Sequence, residues 1–494
     1  MQTSSFGLAI GTIFLAYVLY AFATHNKALD KYPGPWVARW TNIWRLYTAY
    51  SAKYAPTMKE LHEKYGPVVR TGPRSLDLDY PELGKVIYNT DGKWKKSDFY
   101  KNSSAIVNGK MTYNLFSEVD NVVHARLNVL ALERHMDAVI DDLCGHLNTR
   151  FISPGKECDL GAWLGYYAWD FISTVTFSKR FGYMEHGCDF DGTHHIMDQS
   201  NDYTGICGQI PWLDNWLDKN PVIRLGPPNL DTVAHMAVGA LLPRLKGEDP
   251  NFDPEDPDYL QYFIDAKTTH PDVVDDARIV SYLLMNLVAG ADTTAITIRA
   301  LFYHCLKNQD IWERLTREVR AANPGVDTPV SYQSARAIPY LEAVVRETMR
   351  IHPAIGMPME RIVPDDGLEL PDGTVVPPGT IVGMNPYIIA RNRDVFGADA
   401  DTFRPERWLQ GASETDDQYN ARILKWNTVD LTFGGGSRIC LGRHLSLLEV
   451  YKVVATLAVR YDIELVDPDA ELKTVSRWFH RIENGCIICK LNKV

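Results

Sequence analysis

Apolar side chains recur at three- and four-residue spacing over Trp163–Phe177, Ala277–Asn308, Gln309–Ala321, Pro339–Ile351 and Leu441–Tyr461. This is the repeat of a helix with a buried face, and it predicts a long helix over each stretch. VVRTGPRSLDLD, Val68–Asp79, alternates instead, which predicts two short strands around a Gly-Pro turn. Further strand signals lie in Leu368–Val376 and near the C-terminus. GEDPNFDPEDPDY, Gly247–Tyr259, is acidic and proline-rich, the composition of a solvated loop. No fixed-period repeat or low-complexity linker divides the chain, so the predicted body is one domain, mainly α with small β-sheets, in the α+β class.

The N-terminus departs from this pattern. Phe6–Ala23 is an uncharged run ended by Lys27 and Lys31, long enough to cross a bilayer as a helix. It is longer than the apolar region of a signal peptide and no basic segment precedes it, so an uncleaved anchor is predicted rather than a cleaved leader. Positive charge on its C-terminal flank leaves the rest of the chain in the cytoplasm, with Tyr17 and Tyr20 suited to an interface. Pro33-Gly34-Pro35 stiffens the exit. The predicted organisation is an anchor over residues 1–26 and a catalytic body over residues 27–494.

Composition narrows the function classes. The chain has 494 residues, 45% of them hydrophobic, ample for a large core. A net charge of -11 argues against nucleic acid as a partner, which would demand clustered positive charge. The 8 cysteines are scattered, so reduced thiols are expected rather than a disulfide framework. No nucleotide-binding glycine fingerprint with its own domain is present, so any electrons come from a separate protein.

The chemistry concentrates in FGGGSRICLG, Phe433–Gly442. Cys440 immediately precedes a predicted helix, whose unpaired N–H groups and positive dipole end favour a thiolate. The glycines Gly434, Gly435, Gly436 and Gly442 let backbone approach a flat ligand and adopt left-handed angles. Arg438 is placed to reach an anionic group on it. A planar, anionic, metal-centred cofactor meets all three demands. A buried cysteine in a tight turn would account for Cys440 but not for the glycines and the arginine. On the central helix, Asp292 and Thr293 sit among apolar residues. A carboxylate there is driven toward its neutral form and suits proton movement, while Thr293 can bond back to Ala289 and, with Gly290, loosen a turn.

These stretches resemble the cytochrome P450 family. The haem-loop pattern Phe-Gly-x-Gly-x-Arg-x-Cys-x-Gly is met at Phe433, Gly434, Gly436, Arg438, Cys440 and Gly442. AGADTT, Ala289–Thr294, resembles the family's oxygen-binding segment. ETMR, Glu347–Arg350, resembles its Glu-x-x-Arg motif, and FRPERW, Phe403–Trp408, supplies Arg407 as the third member of an ion network. In PMERIVP, Arg361 matches the family's propionate-binding arginine. The openings KYPGPW and KYGPVVRTGP and the stretch YYAWDFISTVTFSKRFGY resemble fungal enzymes of the pisatin demethylase and benzoate hydroxylase type.

The resemblance implies a haem-thiolate fold behind a transmembrane helix, with heme b held by the Cys440 thiolate, whose electron donation favours O–O cleavage. It implies haem contacts from Phe433, Gly434, Arg438, Arg361 and His124, and proton handling by Asp292 and Thr293. It implies a monooxygenase of the endoplasmic reticulum membrane that takes electrons from NADPH-cytochrome P450 reductase and inserts one atom of O2 into a small apolar substrate in secondary metabolism. The Glu347, Arg350 and Arg407 network is expected to fix the loop carrying Cys440. The rivals are a reductase-independent isomerase or dehydratase and a degenerate haem-binding relative. One departure bears on the second: HARLN supplies His124 but places Asn128 where the family has a propionate-binding arginine, and a connecting stretch that follows in relatives is omitted.

Other features are expected to be structural. Cys486 and Cys489 lack a second pair at zinc spacing, so they are predicted to pack in a terminal strand. His194-His195 is predicted to lie in a loop, and Tyr166, Tyr167, Trp169 and Phe171 in the core. The segments Ser97–Met111 and Asn201–Leu225 are predicted to be the loops lining a pocket.

Overall fold

A side-chain cap starts the longest helix. Asp275 accepts the Arg278 N–H at 2.8 Å and opens Asp276–Lys307, one residue from the predicted start. The computed structural model describes residues 25–494, except 108–109, 115, 119–132, 228–229, 273 and 326, together with Thr12, Leu15, Tyr17, Leu19 and Ala21–Ala23. The helices that position the site are α1 (Ile43–Tyr50), α2 (Tyr54–Tyr65), α3 (Glu133–Leu147), α4 (Leu160–Phe177), α5 (Thr193–Cys207), α6 (Asp276–Lys307), α7 (Gln309–Ala322), α8 (Pro339–Ile351), α9 (Asp416–Val429) and α10 (Arg443–Arg460). The predicted helices form as α4, α6, α7, α8 and α10, with ends shifted by at most three residues. Such shifts are the ordinary behaviour of helix termini.

Helix α6 is the axis of the core. Leu283, Leu287, Ala291, Ile298 and Leu301 are buried against the aromatic face of α4, and α3, α8 and α10 close the same core. Gly290 permits the close crossing, because a Cβ there would lie 2.6 Å from the Ile172 Cδ1 atom of α4. Among the described residues, α6 is also the one helix long and apolar enough to cross a membrane, yet its packing makes it a core helix. The described residues of the N-terminal run are helical, with Leu15, Leu19 and Phe22 exposed.

Four strands form the sheet nearest the site: β1 (Val68–Gly72), β2 (Ser75–Leu78), β3 (Arg361–Ile362) and β4 (Ile381–Gly383), in the order β1-β2-β4-β3. The pair β1–β2 is antiparallel, β2–β4 parallel and β4–β3 antiparallel. Both strands of the predicted hairpin form, but every residue of β1 and β2 is buried. Their alternation separates apolar from polar burial rather than core from solvent. Leu368–Glu369 pairs with Val375–Val376, and Ile488–Lys493 lies between Tyr461–Leu465 and Cys158–Asp159.

Two predictions are corrected. His194 and His195 lie in α5, where the His194 ring stacks on Trp169 at 5.2 Å and meets Tyr183 at 4.5 Å. The acidic stretch over 247–259 is a loop, but it is not simply solvated. Asp258 is wholly buried, takes the Arg244 guanidinium at 2.9 and 2.8 Å, accepts the Ser178 hydroxyl at 2.8 Å and caps the following helix. Asp249 holds the same arginine at 2.9 Å. Cys489 packs in the terminal strand opposite Cys158, both as free thiols.

His304, His352 and His480 form one cluster of rings, with His352 and His480 buried. His352 stacks on His480 at 4.2 Å and its Nε2 lies 2.9 Å from the His480 carbonyl, while His304 stacks on Phe403 at 4.8 Å. Burial first, then the charges of His352 and Arg391, pushes His304 down to about 3. His304 therefore takes up a proton near pH 6.5 only when the chain is unfolded, and its contribution to stability falls as pH drops from 6.5 toward 3. Replacing His304 with Phe should reduce the pH dependence of the unfolding free energy between pH 6 and pH 4 by about 1.4 kcal/mol per pH unit. Urea titrations at several pH values measure it, and equal slopes would show that His304 protonates within the fold.

Candidate active site

Cys440 is held by its own loop and by the start of a helix. Its N–H donates to the Phe433 carbonyl at 2.8 Å, and Gly434 N–H donates to Leu431 at 3.0 Å. Gly442 caps α10, and the N–H groups of Gly442 and Arg443 donate to Sγ. Burial raises the thiol's pKa, and those two donors with the Arg443 charge act against it. The residue is nevertheless exposed. Phe433 is half-buried against the main core, which ties the loop's first residue down.

The loop's glycines meet conformational and steric demands within the chain itself. Gly434 and Gly436 have φ of +72° and +61°, which favours glycine at both. A Cβ on Gly436 would lie 2.2 Å from the Asn89 carbonyl oxygen, and one on Gly435 3.0 Å from the Tyr88 Cβ. The loop is pressed onto the backbone at Tyr88-Asn89, where Ser437 N–H donates to Asn89 at 3.1 Å. Gly442 meets little beyond Cys440 itself, with Sγ 3.9 Å from its added Cβ. Close approach of the chain at Tyr88-Asn89 leaves no room for a side chain at Gly436 and little at Gly435.

A cationic cradle borders the loop. Arg361 is buried on β3, donates to the Glu360 carbonyl at 2.9 Å and lies over the Tyr88 ring at 5.2 Å. Both terminal nitrogens of Arg438 are removed from solvent. Lys96 is the third member, its Nζ donating to the Phe116 carbonyl at 2.8 Å beside the Tyr100 ring at 4.7 Å. Burial first, then the charges of Arg438 and Arg361, holds the Lys96 ammonium well below its usual basicity, with Glu118 acting the other way. In the sequence, Lys96 stands beside Lys93 and Lys95 with nothing to single it out. His124 and Asn128 lie outside the described residues.

Asp292 and Thr293 are adjacent on α6 but engage different partners. Thr293 Oγ1 donates to the Ala289 carbonyl at 2.7 Å, the expected back-bond. Asp292 turns toward α4 and α5, where its Oδ1 accepts Trp169 Nε1–H and its Oδ2 accepts Asn201 Nδ2–H, each at 3.2 Å. Burial first, then the nearby Asp198 carboxylate, pushes Asp292 up to about 7, against the Trp169 bond and the charges of Arg299 and Arg481. Trp169 was expected in the core and Asn201 in a pocket loop. Both are buried or half-buried helical residues that supply the neutral donors to Asp292.

Glu347 collects the ion network. It accepts both Arg350 nitrogens at 2.8 Å, Arg407 Nε at 2.9 Å, Trp408 Nε1 at 2.9 Å and the Arg404 backbone N–H at 2.8 Å. The arginines then grip carbonyls of Ala390, Phe396, Asp399, Ala400 and Thr402. The network reaches toward the Cys440 loop through Trp408, whose ring meets Trp426 of α9 at 5.0 Å, and Arg350, Trp408 and Trp426 share a small cavity with Leu431 and Thr432.

The sequence profile of the cytochrome P450 family, described as Cytochrome P450, matches residues 32–489. The chain belongs to the cytochrome P450 family. Its relatives include cytochrome P450 monooxygenase cfoH of Aspergillus candidus, 41% identical over 96% of this chain and 90% of that protein. Cytochrome P450 monooxygenase cicH of Emericella nidulans is 35% identical over 91% of each chain, and pkfB of the same species is 32% identical over 97% and 95%. The P450 is accordingly a monooxygenase whose family uses haem with a cysteine thiolate ligand, O2 and reductase-derived electrons.

Glu347 answers two buried guanidinium groups at once, so its loss leaves Arg350 without a counter-charge and Arg407 with only the more exposed Asp399 carboxylate at 3.3 Å. Replacing Glu347 with Gln should lower unfolding stability by about 3–5 kcal/mol. Urea unfolding measures this, and a loss below about 1 kcal/mol, the level of a surface pair, would show that the backbone carbonyls suffice.

Proposed function

We propose that Cys440 would hold the iron of a haem through its thiolate and that Lys96, Arg361 and Arg438 would hold its propionates. The observation that carries this reading is the pairing of an exposed cysteine, whose thiol faces two backbone donors, with a lysine within electrostatic reach of two arginines. The donor set suits a soft, iron-bound thiolate. The mutual repulsion of the cations is relieved by a group bearing two negative charges, as haem does. Phe433 and Gly434 shape the loop beneath it. Haem bound there supplies reductive activation of O2.

The chain's own residues handle protons. At neutral pH Asp292 exchanges protons readily, because its two partners are neutral donors and its pKa is about 7. It passes protons toward Thr293, whose hydroxyl is oriented by the Ala289 carbonyl. Insertion of one oxygen atom releases the other as water and consumes two protons with two electrons, so this supply matters to every turnover. It favours a monooxygenase over a reductase-independent isomerase, which needs no such supply. We assign NADPH-cytochrome P450 reductase as electron donor and a small apolar molecule of fungal secondary metabolism as substrate.

Residues 1–26 are the membrane anchor and residues 27–494 the catalytic body, on the cytoplasmic face of the endoplasmic reticulum. The exposure of Leu15, Leu19 and Phe22 and of Trp36 just beyond them supports this placement. Deleting residues 1–26 should move the protein to the soluble fraction with its haem spectrum intact, and a truncated chain that still pellets with membranes would contradict it.

Replacing Cys440 with Ser should abolish the thiolate-specific band of the reduced carbon monoxide complex, and its persistence would overturn the ligand assignment. Asp292 must be protonated to donate, so turnover should fall as pH rises through about 7. Replacing Asp292 with Asn should lower kcat roughly tenfold or more and remove that inflection. An unchanged pH profile in the variant would remove the assigned role. Replacing Thr293 with Ala should keep the haem spectrum while diverting NADPH electrons into peroxide.

A further inference from the structure

Beneath the cradle lies a carboxylate that the chemistry above does not use. Glu360 directly precedes Arg361 and is 5% exposed. Its oxygens are held from two sides: Oε2 accepts the Ser97 hydroxyl at 2.5 Å, and Oε1 pairs with the Arg45 guanidinium of α1. Arg45 Nη1 in turn donates to Ser75 Oγ of β2 at 2.9 Å. All four side chains are buried, so one carboxylate ties together α1, β2, the segment before Asp98 and the lead into β3.

Two of those pieces carry the cradle. Ser97 follows Lys96 as Glu360 precedes Arg361. Lys96 and Arg361 face each other as an isolated antiparallel bridge, and Ile362 N–H donates to the Lys95 carbonyl at 2.9 Å. Successive side chains in extended backbone point to opposite faces. The bridge therefore places Ser97 and Glu360 on one side and Lys96 and Arg361 on the other. A buried ion pair is weak support for stability as such, since an apolar replacement is often as good. Its use here follows from position: two like charges across a bridge push their strands apart, and the bond from Ser97 to Glu360 pulls the same strands together.

We propose that Glu360 is a positioning residue for the cofactor, clamping Ser97 and Arg45 so that Lys96 and Arg361 are held at the spacing the two haem propionates require. This rests on the haem-thiolate reading of the site. It assigns a role in cofactor retention to a residue that touches no cofactor atom.

The test compares the wild-type holoenzyme with Glu360→Ala, Ser97→Ala and, as a control, Asp258→Asn in the remote Arg244 pair. Haem transfer to apomyoglobin, the haem midpoint potential and the carbon monoxide spectrum are measured for each. Glu360→Ala should transfer haem roughly tenfold faster or more, the scale on which outer-shell partners act, and should shift the potential. Ser97→Ala should do so about threefold. Asp258→Asn should lose stability in urea but keep the wild-type transfer rate. Wild-type transfer rates in both clamp variants would overturn the proposal, and so would an equal acceleration in Asp258→Asn, which would mark general loosening. If Glu360→Ala does not fold, Ser97→Ala decides alone. A wild-type protein without the thiolate band would instead overturn the haem-thiolate reading itself.

Discussion

A carboxylate taken out of water must have its charge answered, and three such groups set the character of this active site. Glu347 is answered by two guanidinium groups, an indole and a backbone N–H. It ties its surroundings together. Glu360 is answered by one guanidinium and one hydroxyl, and it holds two strands in register. Asp292 is answered by two neutral donors, so its charge is incompletely compensated and its proton is poised. The same functional group meets three different settings according to what faces it.

Backbone proximity is the second constraint, and it makes those environments reachable. The Trp169 indole comes within 3.2 Å of Asp292 because α4 and α6 cross closely. That crossing needs Gly290 against Ile172 and Gly165 beneath the Arg299 guanidinium. Arg299 fastens the same crossing by donating to the Gly161 carbonyl at 2.6 Å. Closer to the thiol, Gly436 lets the loop lie against Asn89, which joins the proximal loop to the chain leading toward Lys96. Small residues thus fix the relative height of groups that never touch one another.

Periodicity made the helices legible, because a buried helical face is a local property written within a dozen residues. The motif residues were legible for the same reason: the loop of Cys440, the pair Asp292-Thr293 and the spacing of Glu347 and Arg350 each occupy a few consecutive positions. What escaped was whatever depends on contact across the chain. Lys96 and Arg361 are paired by a strand bridge, and no basic run predicts which lysine will face an arginine. Asn201, expected in a pocket loop, meets Asp292 from another helix. The glycines of the Cys440 loop were recognised as necessary, but the contact of Gly435 and Gly436 with Tyr88-Asn89 was invisible. His194 was assigned to a loop, although its ring packs among Trp169 and Tyr183.

The position of Cys440 follows from a balance between these constraints. Burial alone raises the thiol's pKa, which disfavours the ionised form a metal requires. Two backbone donors and the Arg443 charge oppose it but leave the net shift upward. A metal held at this sulfur would therefore displace the thiol proton. On the other side of the loop the sign is reversed, because Lys96 is held below its usual basicity by burial and by its cationic neighbours, and a dianion held in the cradle would raise it again. Haem held between the two would thus release a proton at the sulfur and favour proton uptake at the cradle, linkages of opposite sign.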